Sequence, residues 1–285
     1  MWEASLARHT NANVCITGRT HSCYGAVRQS ALFSSRNRTF ASGTVVSGAG
    51  MVRFPATPQA IVFDLDGVLF DTEALYRDAL LSAAADLGIH IPLSLCQRMV
   101  GLHGHAARML LREHVGDEID LDAVWTGATE RYHAMFDTDL RLKPGVTALL
   151  DTLDEFGLPR AIATSSSHGT AIHHLEAFGL RDRFDALVAS GDCERCKPYP
   201  DPYLRAARIL NKPTGSCLAL EDSHAGVRSA VSAGLPTIMV PDLQQPSAEL
   251  RRMCASVVTG LDEVNTWLRD ACGAASRDTP VQRTP

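Results

Sequence analysis

Four short segments of this 285-residue chain hold the side chains that could do chemistry. In Phe63-Asp64-Leu65-Asp66-Gly67-Val68 an apolar run ends in two carboxylates two positions apart, and residues i and i+2 of a strand share a face. Such a pair converges where a cation or a proton relieves the repulsion, and is otherwise a pair of solvated turn residues. Thr164-Ser165-Ser166-Ser167 follows a second apolar run. Hydroxyls there can hold phosphate oxygens together with the first backbone N–H groups of a helix, or simply cap that helix. Lys197, in Cys196-Lys197-Pro198-Tyr199-Pro200, is one of three lysines in the chain, with Lys143 and Lys212. Any role that needs a primary ammonium therefore has three candidates. Glu221-Asp222 closes the apolar run 217–220 with a second pair of acids. Two acid pairs at strand ends are the oxygen-rich ligand set that Mg²⁺ prefers.

Those segments need a scaffold that sets them side by side. The runs 60–65, 160–164, 186–189, 217–220 and 236–240 read as buried strands. Between them Val146, Leu149, Leu150, Leu153 and Phe156 recur at helical spacing and stop at Gly157, and residues 203–210 and 225–233 form two further helices, the second closed by Gly234. Alternating strands and helices imply a parallel sheet covered on both faces, an α/β core whose ligands bind at the carboxyl ends of the strands. The stretch 74–141 breaks the alternation. It has helical patterning throughout: one helix that Gly88 ends, then 93–100, 106–115 and 121–136.

The four segments, in this order, resemble the haloacid dehalogenase superfamily of aspartyl phosphohydrolases over residues 60–268. Asp64-Leu65-Asp66-Gly67-Val68 is similar to its first motif, Thr164 to its second, Lys197 to its third and Glu221-Asp222 to its fourth. Asp71-Thr72-Glu73 and Leu220-Glu221-Asp222-Ser223-His224-Ala225-Gly226 are similar to the beta-phosphoglucomutase-like branch, which also holds phosphatases of phosphoglycolate and sugar phosphates. The resemblance implies a Rossmann-like parallel-sheet core (54–73 and 142–270) with a separate all-helical cap (74–141). The 98 residues from Asp66 to Thr164 have room for that cap, whereas the 33 from Thr164 to Lys197 have no space for the alternative one. The implied roles are Asp64 as nucleophile, Asp66 as general acid and then base, Thr164 orienting and Lys197 neutralising. Mg²⁺ would be held by Asp64, the Asp66 carbonyl and Asp222, with Glu221 adjacent. Ser165 and Ser166, together with His103 and His105 in a glycine-bracketed cap segment, are the candidate substrate contacts. The implied reaction is Mg²⁺-dependent hydrolysis of a small phosphorylated metabolite, a sugar phosphate or a phosphoglycolate-like compound, through an aspartyl phosphate. The alternative is a phosphosugar mutase of the beta-phosphoglucomutase type. That branch places a histidine and an arginine where this sequence has Tyr76 and Gly104, which favours the phosphatase.

Composition narrows the partners. A formal net charge of -5 argues against a polyanion such as nucleic acid, and no unbroken apolar stretch is long enough to span a membrane. Dehalogenation is disfavoured by Asp66, since displacing halide does not need it, and a cap-lysine Schiff base is excluded because 74–141 contains no lysine. A zinc site built on Cys193-Glu194-Arg195-Cys196 lacks a partner pair. Residues 1–53 hold six arginines against Glu3, and they read as a disordered leader. It is either a transit peptide, which would direct the chain to mitochondria or another organelle, or a segment upstream of the true start that leaves a cytoplasmic protein. Residues 271–285 read as a frayed tail.

Overall fold

The computed structural model describes residues 44–47, 50–53, 56–99 and 104–277. Its centre is a six-stranded parallel sheet formed by β3 (Ala60–Phe63), β4 (Arg160–Ala163), β5 (Ala186–Val188), β6 (Cys217–Glu221), β7 (Thr237–Met239) and β8 (Ser256–Val257), in the order β5-β4-β3-β6-β7-β8. The first of these strands sits in the middle, with later strands added to one side and then the other, so the direction of winding switches beside β3 and β6. A crevice at the carboxyl ends belongs at that point.

Strand β3 is buried along its whole length, as a strand covered on both faces must be. Its side chains alternate between two different cores. Ile61 and Phe63 join Leu149, Leu150, Leu175, Trp267 and Leu268, which come from α5 (Val146–Glu155), α6 (His168–Ala177) and α10 (Leu261–Arg277). Ala60 and Val62 face the other way, onto Tyr203, Ala206 and Ala230 of α7 (Asp201–Ile209) and α8 (His224–Ser232). Leu, Ile and aromatic residues fill the first side, whereas the second is lined mainly by alanine around a single buried ring, that of Tyr203. Each fully buried Leu or Phe stabilises this arrangement by about 1.5–3 kcal/mol.

The segment after β3 folds as four helices, α1 (Thr72–Asp86), α2 (Leu93–Met99), α3 (Gly104–Val115) and α4 (Leu121–Asp139). They have a core of their own around Leu80, Leu95, Leu111, Val124 and Trp125. Asp120 starts α4 by accepting from the backbone N–H groups of Asp122 and Ala123 at 2.9 and 3.1 Å. The two connections between this helical unit and the sheet run side by side: Asp71 N donates to Arg141 O and Lys143 N to Leu69 O, each at 2.9 Å. Lys143 pins the junction further, with Nζ 2.7 Å from Asp242 and 3.4 Å from Asp71. The short α9 (Ala248–Met253) lies between β7 and β8.

Three expectations change. Within the leader expected to lack regular structure, β1 (Thr44–Ser47) and β2 (Gly50–Arg53) pair antiparallel with Val45 opposite Val52, in two short segments rich in β-branched residues; residues 1–43, 48–49 and 54–55 lie outside the described residues. The tail expected to fray from 271 instead continues α10 to Arg277 and buries Cys272. β8 was not anticipated, because two residues are too few to show a pattern. Residue 100 and the remainder of the tail, 278–285, fall outside the described residues.

Candidate active site

Phe63 pairs with Leu220, which brings Asp64 and Glu221 level at the carboxyl edge of the sheet. Asp64 N is tied there by a 2.9 Å bond to Leu220 O. Lys197, from the loop between β5 and α7, bridges the two acids with Nζ 2.5 Å from Asp64 Oδ1 and 2.5 Å from Glu221 Oε1. All three side chains are at least nine-tenths buried. Glu221 is held on every side. Tyr203 OH donates to Oε1 at 2.7 Å, while Asp222 N, Ser223 N and Ser223 Oγ donate to Oε2 at 3.1, 3.2 and 3.1 Å.

Two glycines make room for these acids. A Cβ on Gly226, in the first turn of α8, would collide with the Glu221 carboxylate, and a Cβ on Gly67 would collide with that of Asp222. Gly67 also has φ +85, a conformation that side-chain-bearing residues rarely adopt. The turn that follows the first acid pair therefore requires glycine twice over, for its backbone and for the space it leaves to Asp222.

Asp64, Glu221 and Asp222 each present a carboxylate oxygen within 4.8 Å of the others. Burial pushes the Asp64 carboxyl up to about 7, Glu221 and Asp66 adding to the rise and Lys197 opposing it. Burial, then Asp64 and Glu221, raises Asp222 well above the usual carboxylate range. Lys197 goes the other way: burial works against its charge, but the attraction of Asp64 and Glu221 outweighs it and raises the ammonium above the ordinary lysine value. Three buried carboxyl groups face one ammonium, so all three ionise together only when a further positive charge joins them. A hard divalent cation such as Mg²⁺ suits that donor set.

Asp66 stands on the opposite side, where β4 ends. Its Oδ2 accepts from Ser166 Oγ at 2.6 Å and lies 3.5 Å from Thr164 Oγ1; Thr164 Oγ1 in turn accepts from Ser166 N at 3.0 Å. The Ser166 hydroxyl is thus engaged with Asp66. Ser165 lies half-buried beside them, and Ser167 caps α6 by accepting from Thr170 N at 3.1 Å.

The structure therefore brings together Asp64, Asp66, Thr164, Ser166, Lys197, Glu221 and Asp222. His103 lies outside the described residues, and His105 falls in the first turn of α3. Cys193 and Cys196 are free thiols and take no part in the acidic cluster. Two residues that touch the site were missed in the sequence. Tyr203 and His174 both sit in helices, where an aromatic ring at helical spacing is indistinguishable from ordinary core.

A family model described as haloacid dehalogenase-like hydrolase matches residues 58–234. The chain belongs to this family. Phosphorylated carbohydrates phosphatase of Thermotoga maritima is 31% identical over 180 residues, 63% of this chain and 83% of that protein. A haloacid dehalogenase-family hydrolase from Deinococcus radiodurans, crystallised with bound phosphate and sodium, superposes with a TM-score of 0.66 at 27% identity, covering 76% of this chain and 97% of that one. A variant of CbbY from Rhodobacter sphaeroides, solved in complex with xylulose-(1,5)bisphosphate, gives a TM-score of 0.56 at 27% identity over 72% of this chain and 96% of its own. The chain is accordingly a hydrolase of this family with a Rossmann-like core. Among the described residues no helix is long and apolar enough to cross a membrane.

Proposed function

We propose that this hydrolase is a Mg²⁺-dependent phosphatase of small phosphorylated metabolites, sugar phosphates foremost, working through a phosphorylated Asp64. The observation that carries the reading is the buried Asp64 carboxylate, with Lys197 at 2.5 Å on one oxygen and two further acids within metal-sharing distance. The named activity of the Thermotoga relative and the sugar bisphosphate bound by CbbY support the substrate class.

In this reading an oxygen of Asp64 attacks phosphorus, the bond from phosphorus to the leaving oxygen breaks, and the leaving oxygen takes its electron pair and a proton from Asp66. Water then attacks the same phosphorus while Asp66 takes up its proton, the bond to Asp64 breaks and inorganic phosphate departs. Lys197 supplies positive charge next to Asp64 throughout, and Glu221 with Tyr203 fixes where that charge sits. The Thr164 hydroxyl and the backbone that follows it orient phosphate oxygens. Asp64, Asp222, Glu221 and the Asp66 carbonyl would hold Mg²⁺, which when bound supplies charge neutralisation to the phosphoryl group. Since phosphoryl transfer has a loose transition state, positioning and charge provide most of the catalysis.

The cap is the expected source of specificity, through the segment containing His103 and His105. Tyr76 occupies the place of the mutase histidine and is buried against Tyr132, with ring centroids 5.8 Å apart. Hydrolysis rather than isomerisation is the consequence. The test is a panel of phosphorylated metabolites assayed for inorganic phosphate, with and without chelator, alongside a coupled assay for glucose 6-phosphate made from beta-glucose 1-phosphate. Phosphate release that depends on Mg²⁺ supports the reading, and efficient isomerisation without phosphate release overturns it.

A further inference from the structure

Asp66 is held asymmetrically. Its Oδ2 has the Ser166 and Thr164 hydroxyls, but Oδ1 is buried without a hydrogen-bond partner among the described protein atoms. The nearest complementary group is the Nδ1 of His174, 3.9 Å away, which is itself buried and likewise without a partner. A buried polar atom left unsatisfied is costly, and here two such atoms of opposite kind face each other about 1 Å beyond hydrogen-bond distance.

The imidazole is also unusually well fixed. It is 1% exposed, stacked on Phe136 of α4 with centroids 4.2 Å apart at 25°, and packed edge-on to Phe70 at 5.5 Å and 71°. Phe70 lies four residues after Asp66 and bridges Leu142 on the returning connection. The ring is therefore gripped by the outgoing connection through Phe70 and by the last helix of the helical unit through Phe136, and from that grip its Nδ1 faces Asp66. Burial draws its pKa down to about 4, with the adjacent Asp66 opposing and His173 assisting.

We propose that His174 is a positioning residue for Asp66: its imidazole donates Nδ1–H to Asp66 Oδ1, completing with Ser166 a two-sided hold on the carboxyl group. The role rests on the phosphatase reading for its catalytic meaning, since it is the proton-transfer geometry of Asp66 that the hold sets. The aromatic pair Phe70 and Phe136 keeps the ring in place. The pairing itself is argued from two buried, unpartnered atoms that face each other at 3.9 Å.

Two variants separate this role from simple core packing. His174→Phe keeps an aromatic ring between Phe136 and Phe70 but has no donor. His174→Asn loses the ring but places an amide N–H close to where Nδ1 lies. With a sugar phosphate as substrate, His174→Phe is expected to lower kcat about tenfold with KM unchanged, as loss of one well-placed hydrogen bond should. His174→Asn should recover most of that loss while melting at a lower temperature than His174→Phe. A packing role gives the reverse order of activities, and that order, or a His174→Phe enzyme with wild-type kcat, overturns the proposal. A second measurement needs neither turnover nor a folded variant of this position. In the ¹⁵N-histidine spectrum of the wild-type chain the His174 signal should report a proton on Nδ1, and it should move in Asp66→Asn. A bare Nδ1 refutes the hydrogen bond, whereas a protein that shows the Nδ1 proton but hydrolyses no phosphomonoester refutes the phosphatase reading and leaves the hydrogen bond established.

Discussion

Replacing Lys197 by methionine tests the electrostatic logic of the site. The substitution keeps a long unbranched stem across the Tyr203 ring, over which Nζ now sits 5.2 Å from the centroid, and removes the charge. Asp64 and Glu221, each 2.5 Å from the same nitrogen and each at least nine-tenths buried, are then left facing one another. Breaking a buried pair by deleting one partner costs about 3–5 kcal/mol, and in a domain of this size each kcal/mol lowers the melting temperature by roughly 2–4 °C. A fall of about 6–20 °C is expected for the metal-free protein. Phosphate release should fall by at least about 10²-fold, because the charge placed beside the attacking carboxylate is gone. The informative comparison is the double variant Lys197→Met/Glu221→Gln, which removes one of the two stranded charges. It should melt above Lys197→Met yet be no more active. Thermal melts by circular dichroism and a phosphate-release assay are sufficient. Should Lys197→Met melt like wild type, or the double variant melt below the single one, the carboxylates are not repelling each other and the placement of Lys197 as their common counter-charge is wrong.

Asp64→Asn should leave less than about a hundredth of wild-type turnover with the fold intact, checked by phosphate release and a melt, because a neutral amide is too poor a nucleophile to form the acyl phosphate. In the metal-free protein the raised pKa of Asp64 means that the fold holds a proton the unfolded chain has already released; its contribution to stability is full below about pH 4 and is lost as pH climbs towards 7. The melting-temperature gain on adding Mg²⁺ to chelator-treated protein should therefore be larger at pH 7 than at pH 5, and a gain independent of pH would refute the coupling. Gly67→Ala, which forces a Cβ onto the Asp222 carboxylate at a position with φ +85, should raise the Mg²⁺ concentration needed for half-maximal phosphate release; an unchanged titration would show that Asp222 has room to move.

Most of this architecture was legible because parallel strands buried on both faces are written as short apolar runs, and the acids stand where those runs stop. The strands 60–63, 160–163, 186–188, 217–221 and 237–239 fall within or against the expected runs, and glycines at 88, 157 and 234 follow helix ends as expected. The paired strands Thr44–Ser47 and Gly50–Arg53 and the two-residue β8 were hidden for the opposite reason, since none is long enough to establish a period. The extension of α10 was masked by Ala, Ser and Arg, which support a helix without marking a buried face.

The site divides along the same line. Groups that act at the sheet edge announce themselves, because a carboxylate directly after Ile-Val-Phe or Leu-Ala-Leu has no use in a core. Groups that hold them do not, because they sit inside helices on faces that must be buried anyway. Tyr203 reaches Glu221 from the first turns of α7, and His174 approaches Asp66 across 108 residues of chain; each occupies a position where Leu would satisfy the pattern equally well. The pair Glu221-Asp222 shows what closer reading of a strand can still recover. Successive residues leave a strand on opposite faces. Glu221, the last residue of β6, must therefore share the side of the sheet covered by α7 and α8, and it meets Tyr203 and Gly226 there, while Asp222 passes to the turn at Gly67. Two adjacent acids that look equivalent in sequence are thus set in different surroundings by the pleat, one locked among five donors and the other lodged against a glycine turn, and in the proposed reading that difference lets a single acid pair both brace Lys197 and offer oxygens to a cation.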